Sequence, residues 1–503
     1  MPTRLPLDRL LVPVRQTGET VSASSLARYA SAVLFLPLAP TAADWKTLPH
    51  SPMLRALHER KVRKAGDTFH LRVGPQAQTL LVVACLAAEA STFERLQAAG
   101  KLARSALEGD PKTVLIWQQG CTTDAADAAL LAIIAALQAA AFRFAAFKSK
   151  PKSRPLLLHI DLARRGKLPE LDLTLATAAG NNLARWLTAL PPNSLDAAAY
   201  RGLLKQFAQR LKMTFKFFGE TQLKRLGCGA FLAVARGNAM RDAGIAMLAY
   251  RPRGAAAPAI SLVGKGICFD TGGTNLKAHK GMLDMHTDME GSAVALGILY
   301  ALKTLRSPLS VDCWLAITEN RIGPFAYKPQ DVVRAANGTT IQVIHTDAEG
   351  RMVLADALCL AAAKKPRAII DYATLTGACV HALTERYSGA FTNRPEARRL
   401  IESAGVSSGE RVWCFPMDSD YDTDLESTVA DVLQCSADAK GDHILAARFL
   451  SRFVPNSIAW LHLDLSAGTR HGGLAHVTTE ITGFGVRYTL DLLRLGWPAR
   501  TAA

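Results

Sequence analysis

Two stretches decide the fold of this chain, residues 263–291 (VGKGICFDTGGTNLKAHKGMLDMHTDMEG) and residues 345–351 (HTDAEGR). The first begins inside an apolar run at 259–269, which predicts a strand buried on both faces. After a Gly-rich loop, an Ala/Leu-rich segment from 288 to about 305 predicts a helix. The second stretch lies between a predicted strand at 341–344 and a predicted helix at 351–363. Strands alternating with helices predict an α/β fold with a mostly parallel sheet flanked by helices.

Two lysines, four carboxylates and an arginine stand out in these stretches. They are Lys265, Asp270, Lys277, Asp288, Asp347, Glu349 and Arg351. Hard divalent cations take oxygen ligands, chiefly carboxylates, and four carboxylates near strand ends can hold two metals if some of them bridge. Such a site makes a water molecule nucleophilic near neutral pH. A lysine ligates a metal only as a neutral amine, so one of the two lysines would need a strongly lowered pKa.

Each of these residues also has a plainer explanation. An aspartate at the start of a helix is usually an N-cap, and GKG after a strand is compatible with a weak phosphate-binding loop. The conjunction is more specific than its parts, because K-x4-D-x6-K-x10-D is followed downstream by an unbroken D-A-E-G-R. We therefore favour a metal centre at the carboxyl ends of the strands, where ligands collect in parallel sheets.

These motifs resemble the signature of the leucyl aminopeptidase family, the dinuclear-metal cytosol aminopeptidases. That signature is VGKG-x-x-FDSGG-x-x-x-K, a D-M-G-G helix start and NTDAEGR. The similarity extends from about residue 180 to the segment TGFGVR at 482–487. Three positions depart from it, since Thr271, Glu290 and His345 replace Ser, Gly and Asn. We expect Glu290 to add a carboxylate near the metals.

The resemblance implies a metal-dependent aminopeptidase that removes the N-terminal residue from short peptides with a free amino terminus. It implies two divalent ions, Mn or Zn, with a hydroxide between them that attacks the scissile carbonyl. One ion would be held by Lys265, Asp270, Asp288 and Glu349. The other would be held by Asp270, Asp347 and Glu349.

The resemblance also implies roles for further residues. Lys277 would stabilise the oxyanion of the tetrahedral intermediate. Arg351 would hold a bicarbonate that carries the proton. Met285 and Thr374 would line the pocket for the first substrate residue, with core packing as the alternative for both. The family further implies a homo-hexamer.

Composition sets the class of protein. The 503 residues, of which 49% are hydrophobic and 20% charged, predict a globular protein of two or more domains. Nine scattered cysteines without a CxxC pair predict reduced thiols and a cytoplasmic location, and they argue against a cysteine zinc site. We expect no signal peptide, and the apolar run at 128–137 is too short to span a bilayer, so we expect no membrane partner.

The first 150 residues alternate short apolar runs with helical stretches, including an Ala-rich helix predicted at 123–147. A basic, Pro-containing segment at 148–155 (KSKPKSRP) predicts a linker. We therefore place a smaller N-terminal α/β domain at 1–165 and the catalytic domain at 166–503.

The net charge is +16, and the N-terminal third is the most basic part per residue. A basic face attracts polyanions, so an alternative function is a DNA-binding regulatory protein that uses this domain, with or without peptidase activity. No helix-turn-helix or zinc-finger pattern accompanies the charge. A solvated surface is the plainer explanation, and nucleic acid stays an open partner.

Overall fold

The computed structural model describes residues 4–86, 89–150, 157–252, 255, 257–438 and 440–498, so most of the predicted linker at 148–155 lies outside the described residues. Spatial contacts group the chain into two units. The larger unit comprises Met1–Leu7, Ala179–Arg470 and Ile481–Ala503, and the smaller unit comprises Asp8–Ala178 and His471–Glu480. The predicted domain boundary at residue 165 stays a prediction, because grouping by contacts does not test which segment folds on its own.

The smaller unit is an α/β layer structure. Its strands are β1 (Val14–Gln16), β2 (Ser31–Pro37), β3 (Thr68–Val73), β4 (Thr79–Leu86), β5 (Thr113–Gln118) and β6 (His159–Leu162). Its helices are α1 (Ala23–Leu26), α2 (Ala42–Thr47), α3 (Ser51–Lys61), α4 (Thr92–Ala106) and α5 (Thr123–Ala141). The strands form one sheet in the order β1-β6-β5-β2-β4-β3, and every neighbouring pair is parallel except β3 and β4.

Both faces of this sheet are buried, which is why its central strands are nearly continuous apolar runs. In β2, Val33 and Phe35 belong to the core that contains α4 and α5, whereas Leu34 and Leu36 belong to the opposite core. Among the described helices, α5 alone is long and apolar enough to span a bilayer, but most of it is buried in this core. It ends earlier than the predicted residue 147, because Phe142 adopts an extended conformation and packs edge-on against Phe144.

The larger unit holds the remaining strands and helices, with α6 (Leu171–Thr188) crossing the division between the units. Its strands are β7 (Thr214–Gly219), β8 (Gly244–Tyr250), β9 (Ile260–Asp270), β10 (Val311–Asn320), β11 (Val332–Arg334), β12 (Thr340–Gln342), β13 (Ala368–Ala373), β14 (Ser388–Thr392), β15 (Val412–Cys414), β16 (Val432–Leu433) and β17 (Ala459–Asp464). Its helices are α7 (Ala197–Leu211), α8 (Glu220–Arg225), α9 (Gly229–Ala235), α10 (His279–Met282), α11 (Glu290–Thr304), α12 (Glu349–Ala362), α13 (Gly377–Leu383), α14 (Arg398–Ser408), α15 (Asp442–Ser451) and α16 (Val486–Arg494).

Eight of these strands form the main sheet, in the order β15-β14-β17-β13-β9-β10-β8-β7. The four central strands, β17, β13, β9 and β10, are mutually parallel, so their carboxyl ends share one edge. Helices cover both faces of β9: Gly264 lies against Ser292 of α11, and the next residue, Lys265, points to the other face against Gly350 of α12. The predicted fold class, a mostly parallel sheet flanked by helices with a smaller N-terminal α/β domain, is confirmed.

One strand belongs to a different sheet from the one we predicted. The segment before HTDAEGR forms β12, but β12 pairs with β11 and β16 in a separate three-stranded sheet. Asp347 therefore does not follow a strand of the main sheet. A short apolar run predicts a strand without specifying its partners, and pairing is decided by the surrounding tertiary structure.

Candidate metal centre

Four carboxylates meet at the carboxyl edge of the main sheet. Asp270 is the last residue of β9, and Glu349 is the first residue of α12. Asp347 lies two residues before Glu349, and Asp288 lies two residues before α11. Oxygen atoms of Asp270, Asp347 and Glu349 all lie within 4.8 Å of one another. The fold thus brings three of the predicted ligands within reach of one ion.

Lys265 connects the fourth carboxylate to this group. Its Nζ lies 2.8 Å from Asp288 Oδ1 and 2.9 Å from Glu349 Oε1, and it donates a hydrogen bond to the carbonyl oxygen of Thr374 at 2.8 Å. Three acceptors around one ammonium group satisfy its three N–H donors. The side chain is only 3% exposed, as expected for a residue in the middle of a central strand.

Lys277 contacts the other two carboxylates. Its Nζ lies 2.9 Å from Asp270 Oδ2 and 2.6 Å from Asp347 Oδ1, and its side chain is more exposed than that of Lys265. The backbone N–H of Lys277 donates to the carbonyl oxygen of Thr271, which closes the Gly-rich loop beneath the side chain. All six of these charged groups therefore form one cluster, with one lysine at each side of it.

The cluster is electrostatically strained without further cations. Burial is the main cause that raises the pKa of Asp288, Asp347 and Glu349, and neighbouring carboxylates raise it further. Burial lowers the pKa of Lys265 and Lys277, but the adjacent carboxylates outweigh it and hold both pKa values above the ordinary value. Lys265 is thus a cation in the metal-free chain, and the lowered pKa that we predicted for it requires an adjacent dication.

The residues present fit a divalent metal. Two ammonium groups balance only half of the charge of four ionised carboxylates. Asp288 Oδ2 is buried and has no hydrogen-bond partner among the described residues. Leaving a buried carboxylate oxygen unpaired is costly, so the site gains free energy from an additional cation. A donor set of carboxylate oxygens with one amine nitrogen suits divalent ions such as Mn and Zn.

An amide that no sequence motif singled out orients one of these carboxylates and the loop beside it. Asn320 Nδ2 donates to Asp270 Oδ1 at 2.7 Å and to the carbonyl oxygen of Thr346 at 3.0 Å. The Tyr327 hydroxyl donates to the same carbonyl oxygen at 2.7 Å. Asn320 ends β10 in direct register with Asp270 at the end of β9, so an alignment of strand ends would have pointed to it.

Two glycines are required by the close approach of charged groups. Gly272 has φ +85°, which favours glycine, and a Cβ there would lie 2.9 Å from Asp347 Oδ1. Its N–H donates to Asp270 Oδ1 at 2.8 Å. A Cβ on Gly350 would lie 2.7 Å from the Nζ of Lys265. Glycine is therefore needed at 272 for the positive φ, and at both positions because a Cβ would crowd a charged group.

Arg351 is buried beside the cluster with its charge already paired. Its Nη2 donates to Asp442 Oδ1 at 2.8 Å and to Oδ2 at 2.7 Å, and Nη1 donates to the carbonyl oxygen of Gln434 at 3.3 Å. Asp442 is the first residue of α15. Asp442 could not be selected from the sequence, because no local pattern links two residues that lie 91 positions apart.

The two candidate pocket residues differ in position. The hydroxyl of Thr374 donates to Asp288 Oδ1 at 2.8 Å, and its carbonyl oxygen accepts from Lys265, so Thr374 lies at the cluster. Met285 opens a single 3₁₀ turn, Met285–Thr287, just before Asp288, and its side chain is half-buried. Contact with a substrate remains a prediction for both residues.

Glu290 does not add to the cluster as we expected. Its side chain is fully buried, its carboxylate lies against Gly468, and the neighbouring carboxylate that raises its pKa is Glu410. Burial is the larger cause and raises the pKa of Glu290 to about 8. Glu290 is the first residue of α11 and its carboxylate is directed towards Gly468, whereas Asp288 lies before the helix and contacts Lys265.

The other two positions that differ from the family signature, Thr271 and His345, keep the local hydrogen bonds. The Thr271 hydroxyl donates to the carbonyl oxygen of Asn320 at 2.9 Å and accepts from the N–H of Gly273 at 3.2 Å, as a serine hydroxyl could. His345 Nδ1 accepts from the N–H of Asp347 at 3.3 Å, which is a turn interaction typical of asparagine. Both substitutions are therefore compatible with the geometry of the loops.

Comparison with known proteins adds four findings. Residues 182–490 match the model of the cytosol aminopeptidase family, catalytic domain. A probable cytosol aminopeptidase of Synechococcus sp. (strain CC9311) is 36% identical over 442 residues, covering 86% of this chain and 88% of that protein. One from Aquifex aeolicus (strain VF5) is 37% identical over 354 residues, covering 70% and 71%. The solved structure of the bottromycin maturation enzyme BotP in complex with Mn superposes with a TM-score of 0.80 at 29% identity, covering 92% of this chain and 99% of that one.

Proposed function

This chain belongs to the cytosol aminopeptidase family and is a metal-dependent aminopeptidase, and from this premise we propose which residues act and on what. We propose that it hydrolyses the N-terminal residue from short peptides with a free amino terminus. The observation that carries the proposal is the cluster of Asp270, Asp347 and Glu349, whose oxygens lie within 4.8 Å of one another at the end of the central strands.

We propose two divalent ions, Mn or Zn, held by two overlapping sets of ligands. One set is Lys265, Asp270, Asp288 and Glu349, and the other is Asp270, Asp347 and Glu349. The unpaired Asp288 Oδ2 and the surplus of carboxylates over lysines support this assignment. When bound, the ions supply an activated water, polarisation of the scissile carbonyl and a ligand position for the free α-amine.

The chain's own groups prepare the site for this chemistry. The amide of Asn320 orients Asp270 by donating to its Oδ1. Lys265 gives up its proton when a dication takes over its two carboxylate partners, because burial alone lowers its pKa. Lys277 keeps its proton and, in the more exposed position, meets the negative charge that develops on the scissile carbonyl oxygen. The two lysines thus act in opposite charge states.

Met285 and Thr374 are proposed to contact the side chain of the first substrate residue, since Thr374 lies beside Asp288 in the cluster. We further propose that the protein is cytoplasmic and assembles as a homo-hexamer. Light scattering tests the assembly: a mass near six subunits is expected, and a stable monomer at micromolar concentration would refute it.

The experiment that tests the function is a panel of aminoacyl-amides and short peptides, assayed with and without added Mn or Zn. Each substrate is paired with its N-acetylated form. We expect metal-dependent release of the first residue from the free peptides and none from the acetylated ones. Equal rates on the two forms would overturn the proposed exopeptidase role.

A further inference from the structure

The resemblance implied a bicarbonate at Arg351, and the structure allows a test of whether the residues there fit that ion. The guanidinium group is buried, with the side chain 2% exposed. Both oxygens of Asp442 accept from its Nη2, at 2.8 and 2.7 Å, and the carbonyl oxygen of Gln434 accepts from Nη1. The Nη2 group of Arg351 is therefore already occupied by a carboxylate of the chain itself, whereas its Nε is buried without a hydrogen-bond partner among the described residues.

A carboxylate and a bicarbonate offer a guanidinium the same planar pair of oxygens. Two such anions at one buried guanidinium would repel each other at short range, where the local dielectric is low. Asp442 and bicarbonate are hence competitors for Arg351 rather than neighbours. The one donor of Arg351 left without a partner among the described residues, Nε, lies on the same guanidinium as the Asp442 contact, so the negative charge of Asp442 disfavours an additional anion there.

Asp442 is held in this position by the backbone as well as by Arg351. Gly441 precedes it with φ +61°, in the left-handed region, and lets the chain turn sharply into α15. Asp442 is then the first residue of a ten-residue helix, where the helix dipole favours a negative charge. Its side chain is 22% exposed, so it reaches Arg351 from the solvent side.

The segment that carries Arg351 is fixed from a second direction. Gln434 Oε1 accepts from the N–H of Ile344 and from that of His345, both at 3.1 Å, and its Nε2 donates to the carbonyl oxygen of Ala348 at 3.0 Å. These bonds hold the loop before α12 in place, and the carbonyl oxygen of Gln434 accepts from Arg351 Nη1. The ion pair is a built part of the site.

We propose that Asp442 is a built-in carboxylate that occupies Arg351 in place of bicarbonate, so that this enzyme works without bicarbonate. Asp442 is a positioning residue, acting through Arg351 on the neighbouring cluster. The inference rests on the proposed function for its kinetic consequences, but the occupancy of Arg351 can be measured without any activity.

The test combines binding and kinetics on the metal-loaded protein in CO₂-free buffer. Binding of ¹³C-bicarbonate is followed by NMR on the zinc-loaded form, and aminopeptidase rate is measured with and without added bicarbonate at constant pH and ionic strength. Wild type is compared with Asp442→Ala, with Asp442→Asn, and with the control Asp422→Ala. Asp422 also pairs with an arginine of the same unit, accepting from Nε and Nη2 of Arg448.

We expect wild type to bind no bicarbonate and to show the same rate with and without it. Asp442→Ala should lose rate by about 10–100-fold, as is usual when a supporting partner of a metal site is removed. Added bicarbonate should bind to this variant and restore much of the rate, which a merely structural loss would not allow. Asp442→Asn keeps the shape without the charge and should be rescued less, and Asp422→Ala should behave as wild type.

Bicarbonate binding or stimulation in wild type would overturn the proposal, as would an Asp442→Ala variant that is fully active in CO₂-free buffer. If Asp442→Ala does not fold, the wild-type measurements and Asp442→Asn still decide. A wild type without any aminopeptidase activity would refute the proposed function instead, and the binding comparison would still test the occupancy of Arg351.

Discussion

Replacing Lys265 and Lys277 by arginine in turn should separate the two lysines. Arginine cannot be deprotonated in a protein and so cannot serve as a neutral ligand. Lys265 lies 2.8 Å from Asp288 Oδ1 and 2.9 Å from Glu349 Oε1, and its Nζ would contact a Cβ at Gly350. An arginine there stays cationic, has no space to withdraw, and remains between the carboxylates that a metal needs.

The size of the effect follows from the charges of the cluster. With Lys277 protonated and Lys265 neutral, the four carboxylates and Lys277 have a net charge of −3. Two divalent ions then leave a surplus of one positive charge. A permanent cation at 265 changes the net charge of the metal-free cluster to −2, so one divalent ion balances it and a second ion would leave a surplus of two positive charges. We therefore expect Lys265→Arg to retain about one metal per subunit instead of two.

Lys277→Arg makes the matched comparison, because the charge at position 277 does not change. This variant should retain both metals and lose mainly kcat, on the order of 10²–10³-fold, as for the loss of one oxyanion donor. Metal content after dialysis and steady-state kinetics of both purified variants are the assay. Equal metal content in the two variants would refute the assignment of Lys265 as a ligand.

Three further predictions concern packing, pH and charge. Gly350→Ala places a Cβ 2.7 Å from the Lys265 Nζ and should lower the metal content. Its control is Gly202→Ala in α7, where the new Cβ would have no described atom within 4 Å. This control should keep its metal and gain about 1 kcal/mol in the free energy of unfolding. Buried His462 contacts Asp371 at 2.6 Å; burial lowers its pKa, but Asp371 outweighs burial and raises the pKa above 6.5. The stabilisation from this raised pKa is complete below the pKa of His462 in the unfolded chain, and it disappears as the pH rises through the pKa of His462 in the folded chain. Asp371→Asn should therefore lower the free energy of unfolding, measured in urea, more at pH 6 than at pH 9. Nucleic acid, finally, should bind weakly and without sequence preference, with affinity that falls steeply as salt rises; a tight footprint on one DNA sequence at physiological salt would instead support the DNA-binding alternative.

The local parts of this site were predictable from sequence, and the long-range parts were not. The strand that ends at Asp270 and the helix that begins at Glu349 follow from apolar runs and turn residues that lie next to the ligands themselves. The contact between Arg351 and Asp442 joins residues 91 positions apart, and no periodicity encodes it. Long-range partners of this kind are decided when the helices dock on the sheet.

Glu290 and β12 show two other limits. The position of Glu290 two residues after Asp288 suggested a shared site. Glu290 instead begins α11 and is buried against Gly468, whereas Asp288 lies before the helix. The strand before Asp347 was recognisable as a strand, yet it joined a small sheet rather than the main one. Sequence proximity and strand propensity therefore identify elements better than they identify neighbours.

Titration of the chelated enzyme with Mn²⁺, following the rate on an aminoacyl-amide, tests the central claim most directly. We predict no activity after exhaustive chelation, and a rate that rises until two equivalents per subunit are bound, the number that four carboxylates can balance when Lys265 is neutral. Full activity in the chelated enzyme, or a rate that does not respond to the added metal, would contradict the account.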